Sequence, residues 1–226
     1  MKREYETLLW MGMAFGVALG LAAAVFAIKG ADIVMALRVT ARWSFLLFWL
    51  AYAGGALAEL FGPAFGPLAA RGRDFGLAYA AAQLVHVGLV VWLFRISSRP
   101  PLSGGLFDFF VAAVLMTYLL AIFSFGGLSK ALGSKGWRAL RIVGLNYILL
   151  AFARDFVPAF RGIADRGVSH FIGYAPFVAM CIAAPILVLA AAAHRWVGTR
   201  YSRARLGPSG QLTVTAWSRN RTRALD

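Results

Sequence analysis

The chain contains 226 residues, of which 61% are hydrophobic and 14% are charged. Soluble domains carry about 45–50% apolar and about 25% charged residues, so this composition excludes an ordinary soluble domain and indicates an integral membrane protein. The formal net charge is +14, but the cations lie between apolar segments and in the tail over residues 195–226. That distribution is typical of membrane loops, and no nucleic-acid partner is expected. Because Cys181 is the only cysteine, neither an intrachain disulfide nor a thiolate metal cluster can form.

Six apolar segments are long enough to cross the ~30 Å hydrocarbon layer as helices. In chain order they cover residues 8–28, 43–61, 75–94, 107–125, 139–156 and 171–193. The sequence therefore predicts an all-α fold, an integral membrane bundle of six transmembrane helices over residues 1–194, followed by a basic cytoplasmic tail over residues 195–226. The first segment is longer than the ~7–15 residues of a signal-peptide core, so we expect it to be retained as a span.

Small residues recur in the first two segments. Gly12, Gly16 and Gly20 are spaced four apart in the first, and residues 53–56 read Ala-Gly-Gly-Ala in the second. Small residues at this spacing let helix backbones approach closely in a bilayer, so we expect both stretches to pack against neighbouring helices. Glu59, near the end of the second segment, is expected to pair with an arginine at the membrane interface, and a proton relay is the alternative.

We expect the bundle to be organised around the third segment, within residues 68–95. Tyr79, Gln83 and His86 follow one another there at spacings of four and three, so they form a narrow polar stripe on one helix face. An ionisable side chain at that depth is costly to hold in lipid and therefore indicates a functional site. The alternative is that His86 simply hydrogen-bonds a neighbouring helix.

The fifth segment is the most polar. Twelve residues separate Arg141 from Arg154, and Asn146 lies between them. The two cations stand about 20 Å apart along a straight helix, so both cannot rest fully outside a hydrocarbon layer ~30 Å thick. They either mark the two membrane interfaces or line a polar interior that faces His86.

The distribution of cations predicts the orientation. Fifteen lysines and arginines fall on the side of the two termini, seven of them in the tail, and eight fall on the other side. Positively charged loops are retained inside, so we expect both termini to be cytoplasmic in a bacterial plasma (inner) membrane, with the tail near an anionic leaflet. His194, beside Arg195 and Trp196, suits an anchor at the interface.

The order of three motifs resembles a known family. Residues 38–45 (RVTARWSF) open the second segment, residues 71–77 (RGRDFGL) precede the third, and residues 137–140 (WRAL) introduce the fifth. Over about residues 38–156 this arrangement resembles the ferric-reductase-like transmembrane domain family, which includes haem-binding membrane subunits of bacterial methionine sulfoxide repair. The resemblance implies a bundle that carries haem b and transfers electrons, with His86 as an axial ligand of the iron.

The fifth segment departs from the family pattern. Relatives carry a histidine directly after the Trp-x-x-Leu motif, where this chain has Arg141, and some carry another at the position of Arg154. Others carry an additional histidine at the position of Gln83. A guanidinium is always protonated and is not expected to replace imidazole on iron. A haem held by two histidines on the third and fifth segments is therefore not supported.

Two functions follow from this pattern. One is a membrane redox protein in which His86 is the sole protein ligand of haem, electrons come from a quinone or a separate flavoprotein, and the arginines bind haem propionates or an anionic substrate. No NAD or flavin domain is predicted in this chain. The other is a haem-free membrane scaffold or accessory subunit that binds an anionic lipid or solute through Arg141 and Arg154. A transporter is a weaker third interpretation, because no inverted repeat is evident.

Overall fold

The computed structural model describes residues 2–30, 32–98, 101–102, 104–125, 128–161 and 168–206, and among these residues there is no strand. The described helices are α1 (Lys2–Lys29), α2 (Ile33–Phe61), α3 (Gly66–Ala70), α4 (Gly72–Ile96), α5 (Gly105–Ser124), α6 (Gly133–Arg161) and α7 (Val168–Leu206). The all-α prediction is confirmed for this part of the chain. Most of the predicted basic tail, residues 207–226, lies outside the described residues.

Five of the described helices are long and apolar enough to cross a membrane. The candidate spans are Glu4–Ile28, Ile33–Phe61, Gly72–Ile96, Gly105–Ser124 and Ile172–Gly198. Helix α6, which contains the predicted fifth segment, is not among them. Its uncharged stretch is short because Arg141 precedes it and Arg154 and Asp155 follow it. The five spans support an integral membrane protein, and a sixth crossing stays a prediction.

Helix α2 begins at Ile33 rather than at residue 43, so the predicted start is wrong. The Asp32 carboxylate caps the helix by accepting a hydrogen bond of 2.9 Å from the Met35 amide, which satisfies one of the unpaired donors of the first turn. The helix ends at Phe61, and the φ of +86° at the following Gly62 suits glycine. Because α2 starts before Thr40, this polar residue belongs to the helix, where it is buried.

Helix α4 is the central helix, as the sequence predicted for the third segment. Half of its span is buried inside the protein, against 11–39% for the other four spans. Helix α1 runs parallel to it, because rings meet in the pairs Trp10–Phe75 and Phe26–Trp92. Helix α2 runs antiparallel to α4, and α6 runs antiparallel to α2.

The long helices define two ends of the bundle. At the near end, α1, α4 and α6 begin and α2, α5 and α7 end. At this end His194 Nδ1 lies 3.0 Å from Glu59 Oε1, and Arg195 Nη1 lies 3.8 Å from Glu59 Oε2. The predicted pairing of Glu59 with an arginine is thus confirmed, with a histidine as the closer partner.

The predicted role of the glycines in α1 is wrong for the described structure. A Cβ added at Gly12, Gly16 or Gly20 would meet nothing within 4 Å, so these residues face away from the other helices. The buried stripe of α1 consists instead of Thr7 and three alanines: Ala14, Ala18 and Ala22. Alanine is also small enough for close helix approach. The prediction for residues 53–56 is confirmed at Gly54, where a Cβ would lie 3.3 Å from the Leu68 carbonyl oxygen.

We expect Ala18→Leu to destabilise the protein and Gly16→Leu to have little effect. The larger side chain at Ala18 would overpack a fully buried contact, which costs about 1–3 kcal/mol and lowers the melting temperature by several degrees. The measurement is thermal unfolding of the two variants in one detergent. Greater destabilisation by Gly16→Leu would show that the glycine face is the packed one.

Candidate functional site

His86 hydrogen-bonds the neighbouring helix α2. Its Nδ1 lies 3.1 Å from the hydroxyl of Thr40, which is fully buried. The same hydroxyl donates to the Ala36 carbonyl at 2.9 Å. The hydroxyl also lies 3.2 Å from the Leu37 carbonyl oxygen, and the donor in the contact between Thr40 and His86 depends on the imidazole tautomer. Of the two interpretations of His86, contact with a neighbouring helix is the one that the structure shows.

Tyr79 forms a hydrogen bond with a third helix, α5. Its hydroxyl lies 3.0 Å from the Thr117 hydroxyl of α5, and Thr117 donates to the Ala113 carbonyl at 2.9 Å. Tyr79 is therefore the donor in this pair. Tyr79 and His86 share a helix face, as predicted, but they bond different helices.

Gln83 and Ser44 carry buried polar atoms in the α2–α4 interface that lack a hydrogen-bond partner within the part of the chain that the structure describes. The Gln83 Oε1 and Ser44 Oγ atoms are buried and have no hydrogen-bond partner among the described residues. The Thr40–His86 bond and the ring contact between Phe48 and Tyr79 set the register of α2 on α4, which places Ser44 opposite Gln83. An unpaired buried polar group costs about 1–3 kcal/mol.

The polar residues of α6 do not face His86. The Asn146 side chain accepts from the Tyr52 hydroxyl at 2.9 Å and donates to the Ile142 carbonyl at 2.7 Å. Arg141 is exposed and lies over the Trp137 ring, with its Cζ atom 5.9 Å from the ring centroid. Arg154 is also exposed. The structure therefore places both arginines on the outside of the bundle.

His86 and Arg141 lie at different depths. Helices α4 and α6 are parallel. The Tyr79 and Phe152 rings are in contact, with centroids 6.1 Å apart, so these two residues lie at the same depth in the bundle. His86 follows Tyr79 by seven residues and Arg141 precedes Phe152 by eleven. Their separation along the helix axes is therefore about 27 Å. Two axial ligands must lie on opposite faces of one iron, so residue 141 is not opposite His86, whatever its side chain.

Aromatic side chains fill the space between α2, α4 and α6. Phe45, Phe48 and Phe156 are almost completely buried. The Phe152 ring stacks on Phe156 and also contacts Phe48, with centroids 5.9 and 5.6 Å apart. Haem needs a slot between helices, and these side chains occupy that position. The residues present between α4 and α6 therefore do not fit a haem clamped by the two helices.

Residues 71–77, around the start of α4, contact α1 and α5 at the near end. The buried Asp74 carboxylate accepts from the Thr7 hydroxyl of α1 at 2.7 Å. Arg71 lies over the Trp10 ring, with its Cζ atom 5.6 Å from the centroid. Arg73 Nε donates to the Ser124 carbonyl of α5 at 3.0 Å. This motif therefore connects α4 to α1 and α5.

Sequence reasoning missed the polar partners on α2. Thr40 precedes the predicted start of the second segment, and Ser44 follows that start by one residue. The available signals were Asp32, an N-cap residue eight positions before Thr40, and the spacing of four between Thr40 and Ser44. The side chain of the third histidine, His170, lies outside the described residues.

Comparisons with known proteins give no match. No family model, no curated protein and no solved structure matches the chain. The resemblance to the ferric-reductase-like transmembrane domain family therefore stays a prediction based on the motifs at residues 38–45, 71–77 and 137–140. Within the described residues, no group of three or more histidine, cysteine, aspartate or glutamate side chains is arranged to hold a metal ion.

Replacing Gln83 with leucine is expected to stabilise the protein. The change removes a buried acceptor that has no described partner, and an unpaired group of this kind costs about 1–3 kcal/mol. A gain of about 1 kcal/mol corresponds to a melting temperature about 2–4 °C higher. The matched control is Tyr79→Phe, which loses the hydrogen bond to Thr117 and should melt lower. If Gln83→Leu melts lower than Tyr79→Phe, Gln83 binds a group that the described residues do not supply.

Proposed function

We propose that the chain is a haem-free integral membrane scaffold or accessory subunit built from six transmembrane helices. The observation that carries this proposal is the use of His86 as a structural hydrogen-bonding residue, bonded to Thr40 in the α2–α4 interface. The aromatic packing between α2, α4 and α6 supports it, because it occupies the space in which a macrocycle between α4 and α6 would lie. The depth of Arg141, about 27 Å from His86 along the axes, supports it further.

The packing of α6 supports a sixth crossing. Its Asn146, Phe152 and Phe156 contact Tyr52, Phe48 and Phe45 of α2 in antiparallel order. That stretch of α2 lies inside a candidate span. A helix of 29 residues is about 43 Å long, which exceeds the ~30 Å hydrocarbon layer. Six crossings would also place both termini on one side of the membrane, as the distribution of cations predicts.

The two arginines of α6 cannot share one small anion. They are about 20 Å apart along the helix, and both are exposed. As the anion-binding part of a scaffold, Arg141 and Arg154 would therefore act at separate places on the surface. The alternative in which they mark the two membrane interfaces agrees with this exposure.

A haem b redox protein is the second candidate. The feature that favours it is the imidazole of His86, whose Nδ1 contacts Thr40 and whose other ring nitrogen, Nε2, would be the atom that binds iron. An axial ligand requires the Nδ1–H tautomer, in which Nε2 carries the lone pair. Haem would supply one-electron chemistry, with a quinone or a separate redox partner subunit as the donor.

An absorbance spectrum separates the two candidates. We expect the full chain, expressed with ample haem and purified in detergent, to show no Soret band and to gain none with added haemin. His86→Ala should then leave the spectrum unchanged. Its helical circular dichroism should remain that of the wild type, because one hydrogen bond between membrane helices contributes about 0.6 kcal/mol on average.

The control for this experiment is His194→Ala, which removes a histidine whose ring contacts Glu59 at the near end. A Soret band that persists in this variant and disappears in His86→Ala would overturn the haem-free proposal and establish the redox candidate. A band lost in neither variant would show haem binding that does not depend on His86.

A further inference from the structure

Four exposed cations lie at the near end of the bundle, around the start of α6. They are Lys130, Lys135, Arg138 and Arg141. No aspartate or glutamate occurs anywhere in residues 109–154, so no acidic side chain next to them in the sequence neutralises them. The last three are spaced three residues apart and therefore lie on one side of the helix. We call Lys135, Arg138 and Arg141 the basic surface of α6.

Most other described cations of the near end already contact protein groups. Arg71 covers the Trp10 ring, Arg73 bonds the Ser124 carbonyl, and Arg195 lies near Glu59. The basic surface of α6 has no hydrogen bond or ion pair with a described residue, and the single contact of its charged groups is that of Arg141 with Trp137 of the same helix.

The acidic side chains of the near end lie on other helices. Glu4 and Glu6 are exposed on α1, which packs against α2 and α4, whereas α6 packs against α5 and α7. Glu59 is paired with His194, and Asp74 with Thr7. The near end is therefore electrostatically asymmetric, with unpaired positive charge on the side of α6.

With α6 crossing the membrane as proposed above, the basic surface lies at the depth of the lipid headgroups. An uncharged stretch begins at Ile142, directly after Arg141, and the neighbouring Trp137 has the amphipathic ring that favours the membrane interface. Lys135 and Arg141 are about 9 Å apart along the helix. The headgroup layer of one leaflet is about 5–8 Å thick. The three cations thus cover that layer from its outer edge to the hydrocarbon boundary.

We propose that the basic surface of α6 binds the phosphate headgroup of an anionic phospholipid in the leaflet at the near end. Arg138 and Arg141 donate paired N–H groups to phosphate oxygens, a geometry to which the guanidinium is suited. Lys135 adds a point charge at the outer edge of the layer. A cation near a membrane surface strengthens the binding of anionic lipid about fivefold. The site does not depend on whether the chain binds haem.

The experiment measures lipid preference on the full chain. The protein is reconstituted in vesicles of phosphatidylcholine and phosphatidylglycerol and extracted in mild detergent, and its retained lipids are measured by mass spectrometry. We expect wild type to retain phosphatidylglycerol preferentially. The double variant Arg138→Gln/Arg141→Gln should lose about 25-fold in relative association constant, which is two factors of about five.

The matched control is Arg38→Gln/Arg95→Gln, which removes the same charge from two exposed arginines toward the far end. It should keep the preference of the wild type. An unchanged preference in the Arg138/Arg141 variant, or an equal loss in the control, would overturn the proposal.

A salt titration tests the proposal without any variant. Raising the salt from 0.1 to 1 M shortens the Debye length from about 10 to about 3 Å, so the preference of the wild type should collapse. Preference that survives 1 M salt would contradict a headgroup site. Salt-sensitive binding of heparin in detergent, without preference for phosphatidylglycerol in vesicles, would instead assign the surface to a soluble polyanion and overturn the proposal.

Discussion

The packing of α2 against α4, which contains the hydrogen bond between His86 and Thr40, is the contact on which the arrangement of the bundle depends. Helices α2 and α4 form the most extensive contact between described helices, and α4 is the most buried span. In lipid an imidazole has no water to bond, so a partner on a neighbouring helix is the main way to hold it at that depth. The register of α2 on α4 that places Thr40 against His86 also brings Phe48 against Tyr79 and Ser44 opposite Gln83.

The motifs that carried the family resemblance act here as packing devices. Residues 71–77 tie α4 to α1 and α5 through Asp74, Arg71 and Arg73. Residues 38–45 tie α2 to α1 through the Trp43 indole, which donates to the Ala14 carbonyl at 3.1 Å. Polar groups that bond between helices are a general need of membrane bundles. Motifs used in this way carry no information about a cofactor.

Positive charge is distributed unevenly between α4 and α6 at the near end of the bundle. At the start of α4 the arginines contact protein groups, the Trp10 ring and the Ser124 carbonyl. On α6 they remain exposed and precede an uncharged stretch. The difference follows from neighbours, because α4 is surrounded by helices that offer carbonyls and rings, whereas the start of α6 lies at the edge of the bundle.

Composition and the length of the apolar segments determined, by themselves, that the chain is helical and suited to a membrane, because both depend on local properties. The spacing of Tyr79, Gln83 and His86 also identified a polar stripe, since helix periodicity places those residues on one face. Only the tertiary structure decided that Tyr79 bonds α5 while His86 bonds α2, and that alanines rather than glycines form the buried stripe of α1. It also decided that His86 and Arg141 are about 27 Å apart in depth. These facts depend on which helices are neighbours and in what register, and periodicity within one helix carries no information about either.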